Sequence, residues 1–248
     1  MFSSSQKILV TGASSGIGKA IASQCVASGA TVLAQGRDTA RLRQTAAACA
    51  CPERWISVER DFAINPESIP LWMRELAREH GKLWGMAHCA GTGIMDTLGL
   101  YDFKTARGYF DLNFHVPMLL AKGFADRRVS QKGGAMLFLS SSSAVYPEKG
   151  HLMYGAAKAA LACAIKSISQ ELSPRGLRAH CLAPGIVQTP MEAAAEDLMG
   201  PAYREEQLAK YPLGFGLPED VANMAVFLLS EKARWITGQN FVLDGGCN

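Results

Sequence analysis

The sequence predicts an α/β fold in which a parallel sheet is covered by helices on both faces. Short apolar runs alternate along the chain with longer stretches of helical periodicity. The apolar runs are almost uninterrupted, as expected for strands that are buried on both faces. No Pro/Gly/Ser-rich linker, repeat or low-complexity tract divides the sequence, so residues 1–248 are predicted to form a single domain.

The strands are predicted where an apolar run is bounded by glycine or polar residues. They span 7–12, 31–36, 55–61, 83–91, 135–141, 178–185 and 240–246. Helices are predicted at 16–28, 39–50, 66–80, 103–129, 152–173 and 218–230. Asp38 and Thr39 are a good cap for the second helix, and Pro218 opens the last one. The segment 190–213 fits neither pattern, and its place after the sixth strand predicts a substrate lid.

Composition argues against several classes of protein. The 248 residues are 48% hydrophobic with a net charge of +3, and the charges are scattered, so no nucleic-acid partner is expected. The seven cysteines are irregularly spaced, without a C-x-x-C pair or a zinc-like Cys/His cluster, which favours buried thiols and no metal site. A signal-peptide core and a membrane-spanning segment are both lacking in the sequence, so a cytoplasmic protein without a membrane partner is expected.

A glycine-rich turn follows the first strand, with Gly12, Gly16 and Gly18 in the stretch TGASSGIG. Glycine allows a tight turn and a close approach of the backbone to a phosphate, and the N-terminus of the next helix offers free N–H donors. The position of the turn at the first strand–helix junction favours a dinucleotide site over an ordinary connection.

A tyrosine and a lysine lie four residues apart in the stretch HLMYGAAKAALA. This spacing is about one helical turn, so Tyr154 and Lys158 are predicted to share a face of the helix. A free phenol has a pKa of about 10, and a nearby cation favours its phenolate form. The pair is either a surface pair or a proton donor beside the cation that tunes its pKa.

The G-x-x-x-G-x-G spacing and Tyr154-x-x-x-Lys158 together resemble the short-chain dehydrogenase/reductase family, in its compact single-domain branch. Three further segments, in the family's order, extend the resemblance over nearly the whole chain: Cys89-Ala90-Gly91, which resembles N-N-A-G; Asn113; and Leu182-Ala183-Pro184-Gly185 with Thr189. The resemblance implies a doubly wound Rossmann sheet of seven strands in the order 3-2-1-4-5-6-7. It also implies a nicotinamide cofactor, hydride transfer at a carbonyl or alcohol carbon, and a homo-oligomer, either tetramer or dimer.

The resemblance also implies a catalytic set. Tyr154 is the acid/base, and Lys158 lowers its pKa, helped by an oxidised nicotinamide, and holds the cofactor ribose. The family's substrate-binding serine stands thirteen residues before the tyrosine, which selects Ser141; strand alternation places Ser143 on the same side. Asn113 matches the asparagine that holds a water linked to the lysine, although a polar residue that bends a helix would look the same.

The end of the second strand bears on the choice of cofactor. It reads Gln35-Gly36-Arg37, without the carboxylate that binds a ribose 2′-hydroxyl in NAD enzymes. Arg37 offers a planar fork for the 2′-phosphate, so NADP(H) is favoured over NAD(H). Ser15, where many NADP-dependent relatives have a basic residue, and Asp38 weigh against this preference. Arg37 could otherwise be a solvated residue that caps the next helix.

The remaining predicted contacts follow the family's pattern. The cofactor-binding set is Gly12, Ser14, Ser15, Gly16, Ile17, Gly18, Arg37, Asp61, Phe62, Cys89, Ala90, Gly91, Tyr154, Lys158, Pro184, Gly185, Val187 and Thr189. Asp61 resembles an adenine-contacting acid, but a turn-capping aspartate would look the same. The substrate set is Ser143, His151, Met153 and Met191.

Fold and motif do not choose the substrate. Reduction of a 3-oxoacyl thioester, of a sugar or related polyol, and of a steroid-like ketone all remain open. The rival hypothesis is an inactive NAD(P)-binding sensor or scaffold, which the intact set of Asn113, Ser141, Tyr154 and Lys158 disfavours. The main departure from the family is His88-Cys89 in place of two asparagines, so the hydrogen bonds at the centre of the sheet must be made differently.

Overall fold

The computed structural model describes residues 1–93 and 96–248. Its sheet is parallel throughout, with the strand order β3-β2-β1-β4-β5-β6-β7. The strands are β1 (Lys7–Thr11), β2 (Thr31–Gly36), β3 (Trp55–Glu59), β4 (Leu83–His88), β5 (Ser130–Leu139), β6 (Arg178–Pro184) and β7 (Asn240–Leu243). The predicted fold class and strand order are confirmed.

Helices cover both faces of the sheet. They are α1 (Gly16–Ala27), α2 (Thr39–Ala47), α3 (Ile69–His80), α4 (Phe103–Phe110), α5 (Val116–Phe124), α6 (Leu152–Leu172), α7 (Pro190–Met199), α8 (Pro201–Leu208) and α9 (Pro218–Leu229). One hydrophobic core packs α1, α2 and α9 on the sheet, and a second packs α3, α5 and α6 on the opposite face. Within the described ranges, no helix is both long enough and apolar enough to cross a membrane.

Most predicted elements have ends that shift by a few residues, and three elements differ more substantially from the sequence prediction. The helix predicted at 103–129 is divided by a π-helical turn, Asp111–His115, and its last part, α5, already ends at Phe124. Strand β5 begins at Ser130 rather than 135. The sequence prediction places its start too late because polar residues and two glycines precede the apolar run. The segment 190–213 contains α7 and α8, neither of which has a fully buried residue, so neither shows an apolar stripe in the sequence.

The parallel order brings the carboxyl ends of β1, β4 and β5 together at one edge of the sheet. In open α/β sheets, ligands bind at this edge, where the direction of the strand order reverses. The glycine turn follows β1 and the four serines follow β5, so both motifs lie at this edge.

Candidate active site

The glycine turn is closely packed against the end of β4. Gly12 and Gly16 have positive φ angles of 66° and 51°, a conformation that glycine adopts at little cost. A Cβ atom on Gly12 would lie 2.9 Å from the backbone nitrogen of Ala90, and one on Gly18 would clash with the carbonyl oxygen of Gly12. The turn therefore has room for a ligand only on its open side.

Helix α1 begins at Gly16, and its first turn contains no acidic residue. Ser14 and Ser15 are half-buried in the turn, and the Ser15 side chain makes no capping hydrogen bond. Ile17 packs against the core beneath the helix. The free N–H groups and the positive end of the helix dipole make this terminus suitable for a pyrophosphate.

A threonine–histidine pair replaces the asparagines at the centre of the sheet. Oγ1 of Thr11 accepts hydrogen bonds from the backbone N–H groups of Cys89 (3.1 Å) and Ala90 (3.2 Å) and lies 2.8 Å from Nδ1 of His88. Because both acceptor positions of the hydroxyl are used, its proton goes to Nδ1 of His88. His88 is therefore protonated at Nε2 and neutral, and burial lowers its pKa to about 3.

Cys89 is a packing residue rather than a nucleophile. Burial raises the pKa of its thiol to about 12, against a smaller opposing effect of Lys158. The thiol is therefore uncharged at neutral pH, and only a thiolate is a good nucleophile.

Asn113 lies in the π-helical turn and is almost fully buried. Its Nδ2 donates to the carbonyl oxygens of Thr92 (3.1 Å) and Tyr109 (3.2 Å), whereas its Oδ1 has no hydrogen-bond partner among the described residues. A Cβ atom on Gly91 would lie 3.0 Å from this Oδ1 and 3.6 Å from Nζ of Lys158. The free acceptor and the ammonium group thus border the same small space beside Gly91.

Ser141 and Ser143 present adjacent hydroxyl groups at the end of β5. Oγ of Ser141 accepts from the N–H of Ser143 (3.2 Å) and donates to Oγ of Ser143 (3.3 Å). The pair arises from a 3₁₀ turn, Ser142–Ala144, rather than from strand alternation, because β5 already ends at Leu139. Ser140 points elsewhere and donates to the Lys158 carbonyl oxygen at 3.2 Å.

Tyr154 and Lys158 lie one turn apart in α6, and Nζ of Lys158 is 5.7 Å from the centre of the Tyr154 ring. The buried Nζ donates to the carbonyl oxygen of Leu139 at 2.8 Å, and burial lowers the pKa of Lys158 to about 8. Burial also raises the pKa of Tyr154, against an opposing hydrogen bond with Ser141. The net direction of the Tyr154 pKa is therefore upward, and the effect that opposes burial comes from Ser141 rather than from Lys158.

The side chain of Arg37 is 76% exposed beyond the end of β2, with its Nη1 3.8 Å from Oδ2 of Asp61. Asp61 also accepts a hydrogen bond from the Ala63 N–H (2.9 Å), so it has the turn-capping role that was the alternative for it. Asp38, not Arg37, caps α2, accepting from the N–H of Arg41 and pairing with its guanidinium at 3.2 Å. The negative charge of Asp38, which in the sequence argues against a bound phosphate, is therefore paired with Arg41 of α2.

The first turn of the 190–213 segment lies against both halves of the site. Thr189 caps α7, and a Cβ atom on Gly16 would lie 3.2 Å from its methyl group. A Cβ atom on Gly93 would lie 3.5 Å from Sδ of Met191 and 3.8 Å from a ring carbon of Tyr154. The segment therefore extends from the glycine turn to the phenol.

Other predicted residues lie around this centre. The ring of His151 is 6.0 Å from that of Tyr154, and the N–H of Met153 donates to Asp96 at 2.9 Å. Phe62 is buried, 6.3 Å from the ring of His88. Pro184 ends β6, whereas Gly185 and Val187 lie in the connection to α7.

Sequence reasoning missed three residues that support the site: Thr11, Asp96 and Tyr211. The Tyr211 hydroxyl accepts from the N–H of Ile186 (2.9 Å) and lies close to Gly185, where it holds the start of the lid connection. Tyr211 is 25 positions from Ile186 and Asp96 is 57 from Met153, so no local spacing pattern indicates these contacts.

The fold and this arrangement define a dinucleotide-binding oxidoreductase. A sequence profile for the family described as "Enoyl-(Acyl carrier protein) reductase" matches residues 12–248. The chain belongs to the short-chain dehydrogenase/reductase family, whose members bind a nicotinamide cofactor.

Several known proteins resemble the chain over nearly its full length. An L-xylulose reductase of Caenorhabditis elegans is 29% identical, covering 97% of this chain and 95% of the relative. A 3-oxoacyl-[acyl-carrier-protein] reductase of Aquifex aeolicus is 30% identical, covering 96% and 95%. A crystal structure of a Burkholderia cenocepacia short-chain dehydrogenase in complex with NADP has a TM-score of 0.89 at 27% identity, covering 98% of each chain.

Proposed function

We propose that the protein is an NADP(H)-dependent oxidoreductase that reduces a carbonyl group to a secondary alcohol. The observation that carries this proposal is the convergence of Ser141, Tyr154 and Lys158 at the carboxyl edge of the sheet, beside the free acceptor of Asn113. This chain's residues fit a nicotinamide dinucleotide, because the glycine turn leads into the N-terminus of α1, whose first turn has no acidic residue and no side-chain cap.

The cofactor would supply the hydride. Tyr154 donates its phenolic proton to the oxygen of the substrate as negative charge develops there, and Ser141 donates a hydrogen bond to the same oxygen. The raised pKa of Tyr154 keeps the phenol protonated at neutral pH, which suits the reductive direction. The proton balance is completed when Tyr154 recovers a proton from solvent.

Lys158 and Asn113 support that step. Lys158 has three donors, of which one is used by Leu139; the other two have no partner among the described residues and are available for the cofactor ribose or a water. A positive charge on Lys158 favours the phenolate that remains after proton donation. The buried Oδ1 of Asn113 is a suitable acceptor for a water that relays the proton.

The preference for NADP(H) over NAD(H) is supported by the end of β2, which carries no carboxylate, and by the exposed guanidinium of Arg37, whose only nearby acid among the described ion pairs is Asp61 at 3.8 Å. Asp38 is already paired with Arg41. A bidentate arginine–phosphate contact is among the stronger charge-assisted interactions in proteins.

Turnover tests this proposal against the rival, an inactive NAD(P)-binding sensor or scaffold. The experiment follows NADPH or NADP⁺ absorbance with a panel that includes a 3-oxoacyl thioester, a ketopentose, a steroid ketone and the corresponding alcohols. We expect reduction of at least one carbonyl, abolished in the Tyr154→Phe variant. Cofactor binding without turnover on any member of the panel would support the sensor instead.

We also propose that 190–213 acts as the substrate lid and that the protein is a homo-oligomer. The apolar side chains of Leu161 and Ile165 in α6 are buried in the core of the chain itself, so they give no evidence for an interface between subunits. In contrast, Leu98 and Phe103 are 81% and 74% exposed before and at the start of α4, which favours a partner surface there. A monomeric mass by gel filtration would contradict the oligomer.

A further inference from the structure

Two segments approach Tyr154 from the solvent side. Loop 145–151 contributes His151, whose ring is 6.0 Å from that of Tyr154. Helix α7 contributes Met191, whose Sδ neighbours Gly93 close to the Tyr154 ring. We refer to loop 145–151 together with α7 and α8 as the cleft mouth.

Carboxylates lie on both sides of the cleft mouth. Oε2 of Glu148 lies 4.0 Å from Nδ1 of His151. Glu192, next to Met191, contacts the Tyr203 hydroxyl, and burial together with the charges of Glu192 and Glu148 raises the pKa of Tyr203 to about 12. The two contacts of His151 place the Glu148 carboxylate within about 11 Å of the centre of the Tyr154 ring, comparable with the screening length of roughly 10 Å at ordinary ionic strength.

The cations of the cleft mouth do not balance these charges. Residues 190–209 contain five carboxylates and one cation, Arg204. Arg204 forms an ion pair with Glu196 and lies 5.3 Å from the centre of the Phe215 ring, so its charge is already engaged. In loop 145–151 the other charged groups are Lys149, which is exposed, and His151.

A group of basic residues lies far from the cleft mouth. A groove of about 620 Å³ lies where β4, β5 and β6 begin, and its cations are Lys82, Arg127, Lys132 and Arg175. Ser141 follows the opposite end of β5, nine residues after Lys132, more than about 20 Å away at roughly 3.3 Å per strand residue. Within one chain these cations are too distant to offset the acidic cleft mouth.

Two buried polar atoms in the cleft mouth have no partner among the described residues. They are Oε1 of Glu192 and Nδ1 of His151, and they belong to opposite sides of the cleft. Leaving a buried acceptor unpaired costs stability. A cationic ligand would be attracted to the Glu192 carboxylate, and one with N–H donors could also pair with both atoms, whereas an anion would add repulsion.

We propose that the cleft selects carbonyl substrates with a cationic group a few ångströms from the carbonyl carbon and discriminates against anionic ones. Ser141, Tyr154 and Lys158 form the reaction site. The carboxylates of Glu148 and Glu192 determine which substrates bind there, because they attract cationic groups and repel anionic ones. This inference rests on the proposed carbonyl reduction. It disfavours phosphorylated ketones and thioesters of anionic carriers.

The test uses three methyl ketones whose propyl arm ends in a trimethylammonium, a tert-butyl or a sulfonate group. These ends are nearly equal in size and shape and differ in charge. We expect kcat/KM with NADPH to fall in the order cation, neutral, anion, with about a tenfold or larger difference between the extremes, given two carboxylates at partly screened distances. Equal values for the cation and the anion would overturn the inference.

Charge-neutral variants locate the effect. E148Q and E192Q should each reduce the preference for the cation severalfold and raise the reduction of the sulfonate. E205Q is the matched control, because Glu205 is exposed on α8 and is not among the carboxylates that act on Tyr203. An equal loss for all three ketones in E192Q would show a structural role only and would count against the inference.

Binding without turnover separates this inference from the proposed function. The Tyr154→Phe variant saturated with NADPH should bind the ketones in the same order, measured as the increase in Tm at a fixed ketone concentration. If no ketone is reduced by the wild type but this order persists, the proposed function fails and the selectivity of the cleft stands. If the order is absent in both assays, the selectivity is wrong.

Discussion

The hydroxyl group of Thr11 lies 2.8 Å from Nδ1 of His88 and joins β1 to β4 at the centre of the sheet. The same oxygen holds the N–H groups of Cys89 and Ala90, so one side chain satisfies three buried polar groups. In this chain these hydrogen bonds hold the centre of the sheet at the position where the family has two asparagines.

The Thr11→Val variant should therefore be strongly destabilised. It keeps the shape but leaves three polar groups unpaired, at about 1–3 kcal/mol for each buried one, so we expect a loss of at least about 2 kcal/mol in the free energy of unfolding. Urea unfolding measures it. Thr11→Ser, which keeps the hydroxyl, should lose about 1 kcal/mol or less, and equal losses in both variants would contradict the role of the hydroxyl.

The buried Lys158 should make stability depend on pH. Its pKa is about 8 in the folded protein against 10.5 ordinarily, so below pH 8 the fold must hold a buried charge. This penalty is released as the pH rises from about 8 to about 10.5. Relative to Lys158→Met, the wild type should gain up to about 3 kcal/mol over that window.

Stability measured across the same window in two variants checks this expectation. Lys166 is an exposed lysine of the same helix, so Lys166→Met should follow the wild type. The explanation by burial would be wrong if Lys158→Met and Lys166→Met gave parallel curves.

The Tyr154→Phe variant should lose about 10²- to 10⁴-fold in kcat, the usual contribution of a positioned acid. The Kd for NADPH, followed by fluorescence titration, should change little, because the phenol acts on the substrate oxygen. In the wild type, carbonyl reduction should fall at alkaline pH as the phenol loses its proton. Appreciable residual turnover would remove Tyr154 from its role.

Arg37→Ala should weaken NADP(H) about 10- to 100-fold, the value of a charge-assisted contact of about 1.5–3 kcal/mol, and leave NAD(H) nearly unchanged. The control is Arg43→Ala, which removes an exposed arginine of the neighbouring helix α2 whose side chain donates to Thr39. Kd values for both cofactors would measure the difference. Equal losses for NADPH and NADH would refute the phosphate contact.

Gly18→Ala should abolish cofactor binding or folding, because the new methyl group would clash with the carbonyl oxygen of Gly12. Gly108→Ala is the matched substitution at an exposed position of α4 with open space around it. It should stabilise the protein by about 0.5–1 kcal/mol through higher helix propensity. Thermal unfolding and NADPH titration of the two variants measure both effects, and a Gly18→Ala variant that binds normally would contradict the packed turn.

The sequence predicts those parts of the molecule that depend on local patterns. Alternating apolar strands and periodic helices gave the α/β class, and the spacing of Ser141, Tyr154 and Lys158 gave a set that the fold brings together. The strand order came from family resemblance, since no strand's composition records its neighbours. Helix α7 carries a local signal that the apolar pattern does not, because Thr189 caps it and Pro190 follows.

The rest depends on contacts between distant segments. The direction of the Tyr154 pKa follows from burial, which only the assembled fold creates. From the sequence alone, the negative charge of Asp38 argues against phosphate binding beside Arg37. In the structure this carboxylate pairs with Arg41, a contact that the sequence does not reveal. The Thr11–His88 contact spans 77 positions and has no sequence signature.

The π-helical turn Asp111–His115 makes the geometry of the site depend on the number of residues in that turn. Such a turn is an α-helix with one extra residue, so removing Phe114 or His115 would restore regular winding and rotate Asn113 by roughly 100° relative to α5. Its side chain would then leave the space beside Gly91 and Lys158. A one-residue deletion here should therefore act as severely as replacing Asn113, although every side chain of the site would still be encoded.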